Sequence, residues 1–225
     1  MNINSIQHAG FERILKRGTG QVIEESERSL FIYDSISKGC FLACVDFDLG
    51  MDILDKHLTK TNDLLMVTDD AIGDVAVKKY GYTEVRRCYQ YVFCGESISE
   101  AEGITIRKAG VEDLPVIFAN YDLISTDEIK QTVKMGNILM GYAGDKPVGF
   151  IGEHLEGSMG LLNVLPEHRR KGYATALEKE FIRRTIEQGF IPFCHVEKEN
   201  TASIALQEKL GLKRSDTGIY WMWRT

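Results

Sequence analysis

The chain has 225 residues, 44% hydrophobic and 27% charged, a balance that builds a folded globular protein and excludes disordered and fibrous classes. Against 33 Asp and Glu, 27 Lys and Arg leave a formal charge of −6, which excludes a protein that mainly coats nucleic acid or anionic lipid; any anion site must be local. No stretch approaches the ~18 apolar residues that span a bilayer, and the N-terminus lacks the apolar run of a signal peptide. The five cysteines (Cys40, Cys44, Cys88, Cys94, Cys194) form no CxxC pair and no cluster with histidine, so a reduced, cytoplasmic protein without a metal is expected.

In chain order, strand-like runs occupy 29–34, 39–47, 64–68 and 84–93, interleaved with helical patterns at 51–58 and 71–79. The small, polar, acidic stretch 95–103 reads as a linker and divides the chain into expected domains 1–98 and 103–225. Beyond it come a strand at 104–107 and helices at 111–121 and 127–135. A strand meander follows at 137–143, 147–155 and 159–165, with turns at Gly144-Asp145 and Glu156-Gly157-Ser158. A helix at 173–188, a strand at 191–196, a helix at 201–210 capped by Asn200 and a strand at 219–223 complete the order βααβββαβαβ. This predicts an α/β (α+β) domain with a mixed central sheet flanked by helices. Setting Asp70 against Asn200 aligns Lys79-Tyr80-Gly81-Tyr82 with Lys209-Leu210-Gly211-Leu212 and then two aromatic strands, a degenerate internal repeat.

The chemistry concentrates in Leu161-Leu-Asn-Val-Leu-Pro-Glu-His-Arg-Arg-Lys-Gly-Tyr-Ala-Thr175, an apolar strand running through a proline and a basic, glycine-containing turn into a helix. A helix start offers unpaired N–H groups and the positive end of the dipole. Gly172 lets the backbone approach a ligand, Ala174 keeps the next inward position small, and Arg169, Arg170 and Lys171 draw a polyphosphate here. A solvated basic helix start is the plainer alternative.

The pattern Val164-x-Pro166-x-x-Arg169-x-x-Gly172-x-Ala174, with Asn200-x-x-Ser203 and Lys209-Leu-Gly-Leu212 downstream, resembles the GCN5-related N-acetyltransferase (GNAT) superfamily over residues 104–225. The resemblance implies a GNAT fold with acetyl-CoA, or a longer acyl-CoA, as co-substrate. It implies that the amides of Arg169, Arg170, Lys171, Gly172, Tyr173 and Ala174 hold the pyrophosphate, and that Asn163, Val164 and Leu165 bond the pantetheine as an added strand. The thioester would lie where this strand splays from 191–196, and Asn200, Ser203 and Gln207 on the following helix would complete the set. The two-part chain and His154-Leu-Glu156-Gly-Ser-Met159-Gly are similar to the glycine-N-acyltransferase and antibiotic-resistance type, with a degenerate GNAT-like first half. There, Val45-Asp46-Phe-Asp48-Leu-Gly-Met51 carries two carboxylates and no base, and should repel a pyrophosphate; that half is expected to bind no CoA.

Many GNATs protonate the leaving thiolate with a Tyr where this chain has Gln207, whose amide cannot act as an acid. Strand alternation sets Glu153 opposite His154 and Glu156. Glu156 beside Ser158 is favoured as base or substrate anchor, with His154 as an alternative. His195 reads as a packed strand histidine and Cys194 as a buried thiol. The expected activity is acyl-CoA-dependent N-acetylation of a small amine or amino-acid-like acceptor by direct transfer. Acetylation of a protein N-terminus or lysine, and a non-catalytic acyl-CoA sensor, are the alternatives. A dinucleotide enzyme is unsupported, because GxGxxG is absent and the Gly18-Thr-Gly20 pair is isolated. The expected partner is the small-molecule substrate, without nucleic acid or membrane, and the expected assembly a homodimer.

Overall fold

The computed structural model describes residues 6–225, so residues 1–5 of the expected first domain lie outside it. In chain order the elements are α1 (Ala9–Lys16), β1 (Gly20–Glu25), β2 (Ser29–Asp34), β3 (Gly39–Cys44), α2 (Phe47–His57), β4 (Leu64–Val67), α3 (Asp70–Tyr80) and β5 (Glu84–Val92). There follow β6 (Thr105–Lys108), α4 (Leu114–Asn120), α5 (Thr126–Lys134), β7 (Ile138–Ala143), β8 (Lys146–Glu153), β9 (Met159–Val164), α6 (Tyr173–Glu187), β10 (Phe193–Glu197), α7 (Thr201–Lys209) and β11 (Lys213–Trp223). The expected linker carries no helix or strand.

Two compact units result, and they do not follow the linear halves. One takes the chain up to Val92 with His195–Glu208 and Leu212–Thr225; the other takes Phe93–Cys194 with Lys209–Gly211. The last strand, expected to close the second domain, belongs to the first unit, whose strand order is β1-β2-β3-β4-β11-β5. The reason lies in the β4-α3-β5 crossover. Both strands run antiparallel to β11, with Tyr220 opposite Val67 on one side and Arg87 on the other, so the crossover leaves a one-strand gap that β11 fills.

Helices cover both faces of this first sheet, which explains its continuous apolar runs SLFIYD and GCFLAC. Phe11 and Ile14 of α1 pack with Leu30, Ile32, Phe41, Ala43 and Ile219. The alternate residues Phe31, Cys40 and Leu42 pack with Leu54, Ile72, Tyr220 and Met222. Two elements, α1 and β1, went unread in the sequence. Strand β3 is shorter than expected because Asp46 begins a helix: its Oδ1 accepts from Leu49 N at 2.9 Å, capping α2. Similarly Asp69, one residue before the position aligned with Asn200, caps α3.

In the second unit the order is β9-β8-β7-β6, antiparallel throughout, with the start of β10 parallel to β9. Ile117, Ile129 and Val133 of α4 and α5 pack on Ile138, Met140 and Phe150, and α6 lies against β7, β8 and β9. Among the described residues no helix is long and apolar enough to cross a membrane, and no group of three or more His, Cys, Asp or Glu is placed to hold a metal.

Candidate functional site

The basic loop between β9 and α6 runs through two left-handed residues into the helix start. A short 3-10 turn, Pro166–His168, leads into Arg169 at φ −65° and ψ 157°. Arg170 then takes φ 61° and Gly172 φ 86°. An extended Arg169 followed by left-handed Arg170 and Gly172 turns the chain sharply into the start of α6. A left-handed non-glycine residue costs about 1–2 kcal/mol, a cost that Arg170 carries on an exposed loop. At Gly172 the positive φ itself demands glycine, and the space where a Cβ would stand is open. Gly172 stands at the N-cap of the 15-residue α6 and, being glycine, offers its first turn no side-chain cap. The first-turn amides and the dipole of a helix favour an anion at such a start.

Side chains of the loop brace it. Arg169 Nε donates to Val164 O at 3.0 Å and Lys171 Nζ to Glu167 O at 3.0 Å, while Tyr173 lies 6.2 Å from the His168 ring. Lys209 Nζ reaches Thr175 Oγ1 at 3.4 Å, adding a fourth cation at the first turn of α6. In the sequence Lys209 served only as a landmark for alignment.

Leading into the loop, β9 is irregular. Leu161 has φ 50°, and the β8–β9 register shifts between Phe150–Asn163 and Gly152–Gly160, the signature of a bulge. Beyond it, Leu165 N donates to Val148 O at 2.9 Å. Antiparallel alternation turns the backbone groups of Asn163 and Leu165 toward β8 and those of Val164 to the other side. Of the three residues expected to bond a pantetheine, Val164 thus presents its backbone outward. Asn163 Nδ2 donates to Asn120 O at 2.6 Å. Its Oδ1 is buried without a hydrogen-bond partner among the described residues. Cys194 opposite Met159 is the register pair between β9 and β10. In the first unit β3 and β4 pair through Cys40–Leu65, Phe41–Met66 and Leu42–Val67, and the carboxylate of Asp46 fills the start of α2 while ion-pairing with Arg28.

The expected alternation of Glu153 against His154 and Glu156 does not hold, because β8 ends at Glu153. His154 N donates to Ser158 O and Gly157 N to His154 O, both at 2.9 Å, so the turn begins two residues before the expected one. It buries Glu156 and Ser158, 8% and 1% exposed, with Ser158 Oγ donating to Glu156 Oε1 at 2.5 Å. His154 remains a quarter exposed, its Nδ1 4.0 Å from Oε1 of Glu128 on α5, a residue the sequence did not single out. Burial holds the Glu156 carboxyl above the usual carboxylate range, offset in part by His154 and the Ser158 hydroxyl. A group whose folded pKa lies above its unfolded value stabilises the fold fully below the unfolded value, and that contribution is lost as pH rises through the folded one. Glu156→Gln is therefore expected to gain melting temperature over the wild type progressively as pH rises above about 4.5. A difference independent of pH would show that the carboxyl ionises as it does in water.

Asn200, Ser203, Gln207 and His195 lie in the first unit, and Cys194 in the second. Asn200 caps α7 as expected, its Oδ1 accepting from Ser203 N at 3.1 Å. Gln207 is 3% exposed and its Oε1 has no hydrogen-bond partner among the described residues. His195 has both ring nitrogens engaged, Nε2 with Gln90 Oε1 at 2.9 Å and Nδ1 with Trp221 Nε1 at 3.3 Å. Trp221 only donates, so His195 is neutral with its proton on Nε2, a packed strand histidine. Cys194 is buried.

Residues 148–222, about a third of the chain, match the family FR47-like protein. No curated protein is similar enough to match. Solved structures with the same fold include a Drosophila protein (TM-score 0.62, 16% identity, covering 97% of this chain and 87% of that one). They also include a GCN5-related N-acetyltransferase from Kribbella flavida (TM-score 0.59, 12% identity, 98% and 95%). A third is a GCN5-related N-acetyltransferase-like protein from Streptococcus suis (TM-score 0.56, 17% identity, 96% and 92%). The chain thus shares the fold of these GCN5-related N-acetyltransferase structures, and its residues 148–222 match the FR47-like family.

Proposed function

We propose that the chain transfers an acyl group, acetyl in the first instance, from acyl-CoA to a small amine or amino-acid-like acceptor. One observation carries the reading: a loop with left-handed Arg170 and Gly172 delivers the uncapped amides of α6 beside the bulged β9. Acyl-CoA fits this donor set, with its pyrophosphate on the amides from Arg169 to Ala174 and its amide arm along the outward backbone of Val164. The cofactor supplies an activated thioester. Asp46 at the start of α2 and the close pairing of β3 with β4 argue that the first unit binds none.

An ammonium must lose its proton before its nitrogen can attack the thioester carbonyl and expel the thiolate. Of the three acid–base candidates, His154 is the accessible one, and we assign it that proton. Glu128 stabilises the imidazolium that forms, while Glu156 and Ser158 hold the turn from beneath. The partner in this reading is a small molecule in a reducing cytoplasm.

The test is free-thiol release from acetyl-CoA over a panel of amines. His154→Gln is expected to lower kcat by about 10²–10⁴, the usual weight of a general base, with the KM for acetyl-CoA unchanged. A second reading, an acyl-CoA sensor, is favoured by Gln207, which cannot protonate a thiolate; stabilisation by acetyl-CoA without thiol release over the whole panel would select it.

A further inference from the structure

A groove of about 650 Å³ lies beside α3 in the first unit, lined by Asp74, Val77, Lys78, Val85, Arg87 and Tyr220. The register of β5 on β11 sets Val85 beside Met222 and Arg87 beside Tyr220, on one sheet face. Met222 and Tyr220 are buried in the core that α2 and α3 form on that face. Val85 and Arg87, one strand further out, are not: Val85 is 36% exposed and the Arg87 side chain 53%. The groove is the uncovered strip this leaves.

Its polar groups are held in place. Tyr220 OH donates to Asp74 Oδ1 at 2.6 Å and accepts from Arg87 Nε at 3.0 Å, and Arg87 Nη2 donates to the same carboxylate oxygen. The guanidinium stands 5.1 Å over the Tyr220 ring. Two of its three nitrogens are thereby spent on positioning, and Nη1 is left for a ligand. Lys78 sits one helical turn from Asp74, on the same side of α3. The Asp74 carboxylate is already matched by Arg87, so the strip carries an uncompensated positive charge in a chain of net charge −6. Val77 and Val85 supply apolar surface beside it.

We propose that this groove binds a small organic anion, with its carboxylate or phosphate on Arg87 Nη1 and Lys78 Nζ and an apolar body on Val77 and Val85. The site is separate from the amide loop of the second unit, and the proposal does not depend on acyl transfer. Ligand-observed NMR on the full chain tests it with benzoate, phenyl phosphate and neutral benzamide as probes. Benzoate or phenyl phosphate is expected to bind at millimolar concentration, the stronger of the two identifying the anion, and benzamide at least about tenfold more weakly. Lys78→Ala, at an exposed position, should weaken the anion about fivefold, and Arg87→Met more than tenfold, on the scale of charge-assisted contacts. Should Arg87→Met fail to fold, Lys78→Glu takes its place and should abolish anion binding. Benzamide binding as well as the anions, no binding by either anion, or anion affinity indifferent to the Lys78 variants would overturn the proposal.

Discussion

Truncation after Gly211 is expected to prevent folding of the first unit, although most of the deleted segment lies in the stretch that matches the FR47-like family. Strand β11 is the interior strand between β4 and β5, and Ile219, Tyr220 and Met222 are at most 2% exposed. Fully burying a large apolar side chain is worth about 1.5–3 kcal/mol, so these three contribute roughly 5–9 kcal/mol by the same scale, a large share of the ~5–15 kcal/mol that holds a typical domain together. Deletion also strips hydrogen-bond partners from two strands at once. The same topology predicts that residues 103–225, expressed alone, will not behave as an autonomous domain. They would carry β11 without β4 and β5, with two unpaired edges and an exposed apolar face. Calorimetry and far-ultraviolet circular dichroism check both: neither fragment should show the first unit's cooperative transition, and co-expressing residues 1–98 with 103–225 should restore it. A monomeric 103–225 fragment that melts cooperatively would show that β11 can close the second unit instead.

That topology marks the limit of what a single sequence discloses. The meander, the long helix after the basic loop, the capping Asn200 and the order βααβββαβαβ were legible because local periodicity and turn chemistry are local properties. Which strand pairs with β11 is a long-range choice. It is decided by the gap the β4-α3-β5 crossover leaves more than 100 residues upstream, and no periodicity records it. Site chemistry divides in the same way. The turn of the basic loop was legible because Gly172 marks a position of positive φ. The environment of Glu156 was not, because strand alternation was carried two residues too far. The real turn buries Glu156 and Ser158 and leaves His154 exposed to Glu128, which stands on a helix 26 residues upstream. Glu156 suited the sequence as an accessible base; the turn makes it a buried carboxyl with a raised pKa.

Gly172→Asp is expected to abolish stabilisation by acetyl-CoA while leaving the apo protein folded. Two effects on the fold oppose one another. An aspartate at φ 86° suffers left-handed strain of about 1–2 kcal/mol, but its carboxylate stands at the uncapped start of α6, where an N-cap aspartate returns about 1 kcal/mol and favours the dipole. The apo melting temperature should therefore change little. Ligand binding has no such compensation. The new carboxylate would occupy the space that is open beside Gly172, where the proposed pyrophosphate lies, and like charges ~4 Å apart cost about 4 kcal/mol at an effective dielectric of ~20. The first unit already carries this arrangement, since Asp46 caps α2 at the corresponding helix start. For the wild type, acetyl-CoA at 100 times its Kd should add about 2.7 kcal/mol of stability, and for Gly172→Asp the shift should vanish. Gly172→Ala separates charge from conformation: it bears the strain without the carboxylate, and should keep part of the shift. Equal shifts in the wild type and Gly172→Asp would move acyl-CoA away from this loop. Loss in Gly172→Asp with retention in Gly172→Ala would locate the pyrophosphate on the amides from Arg169 to Ala174.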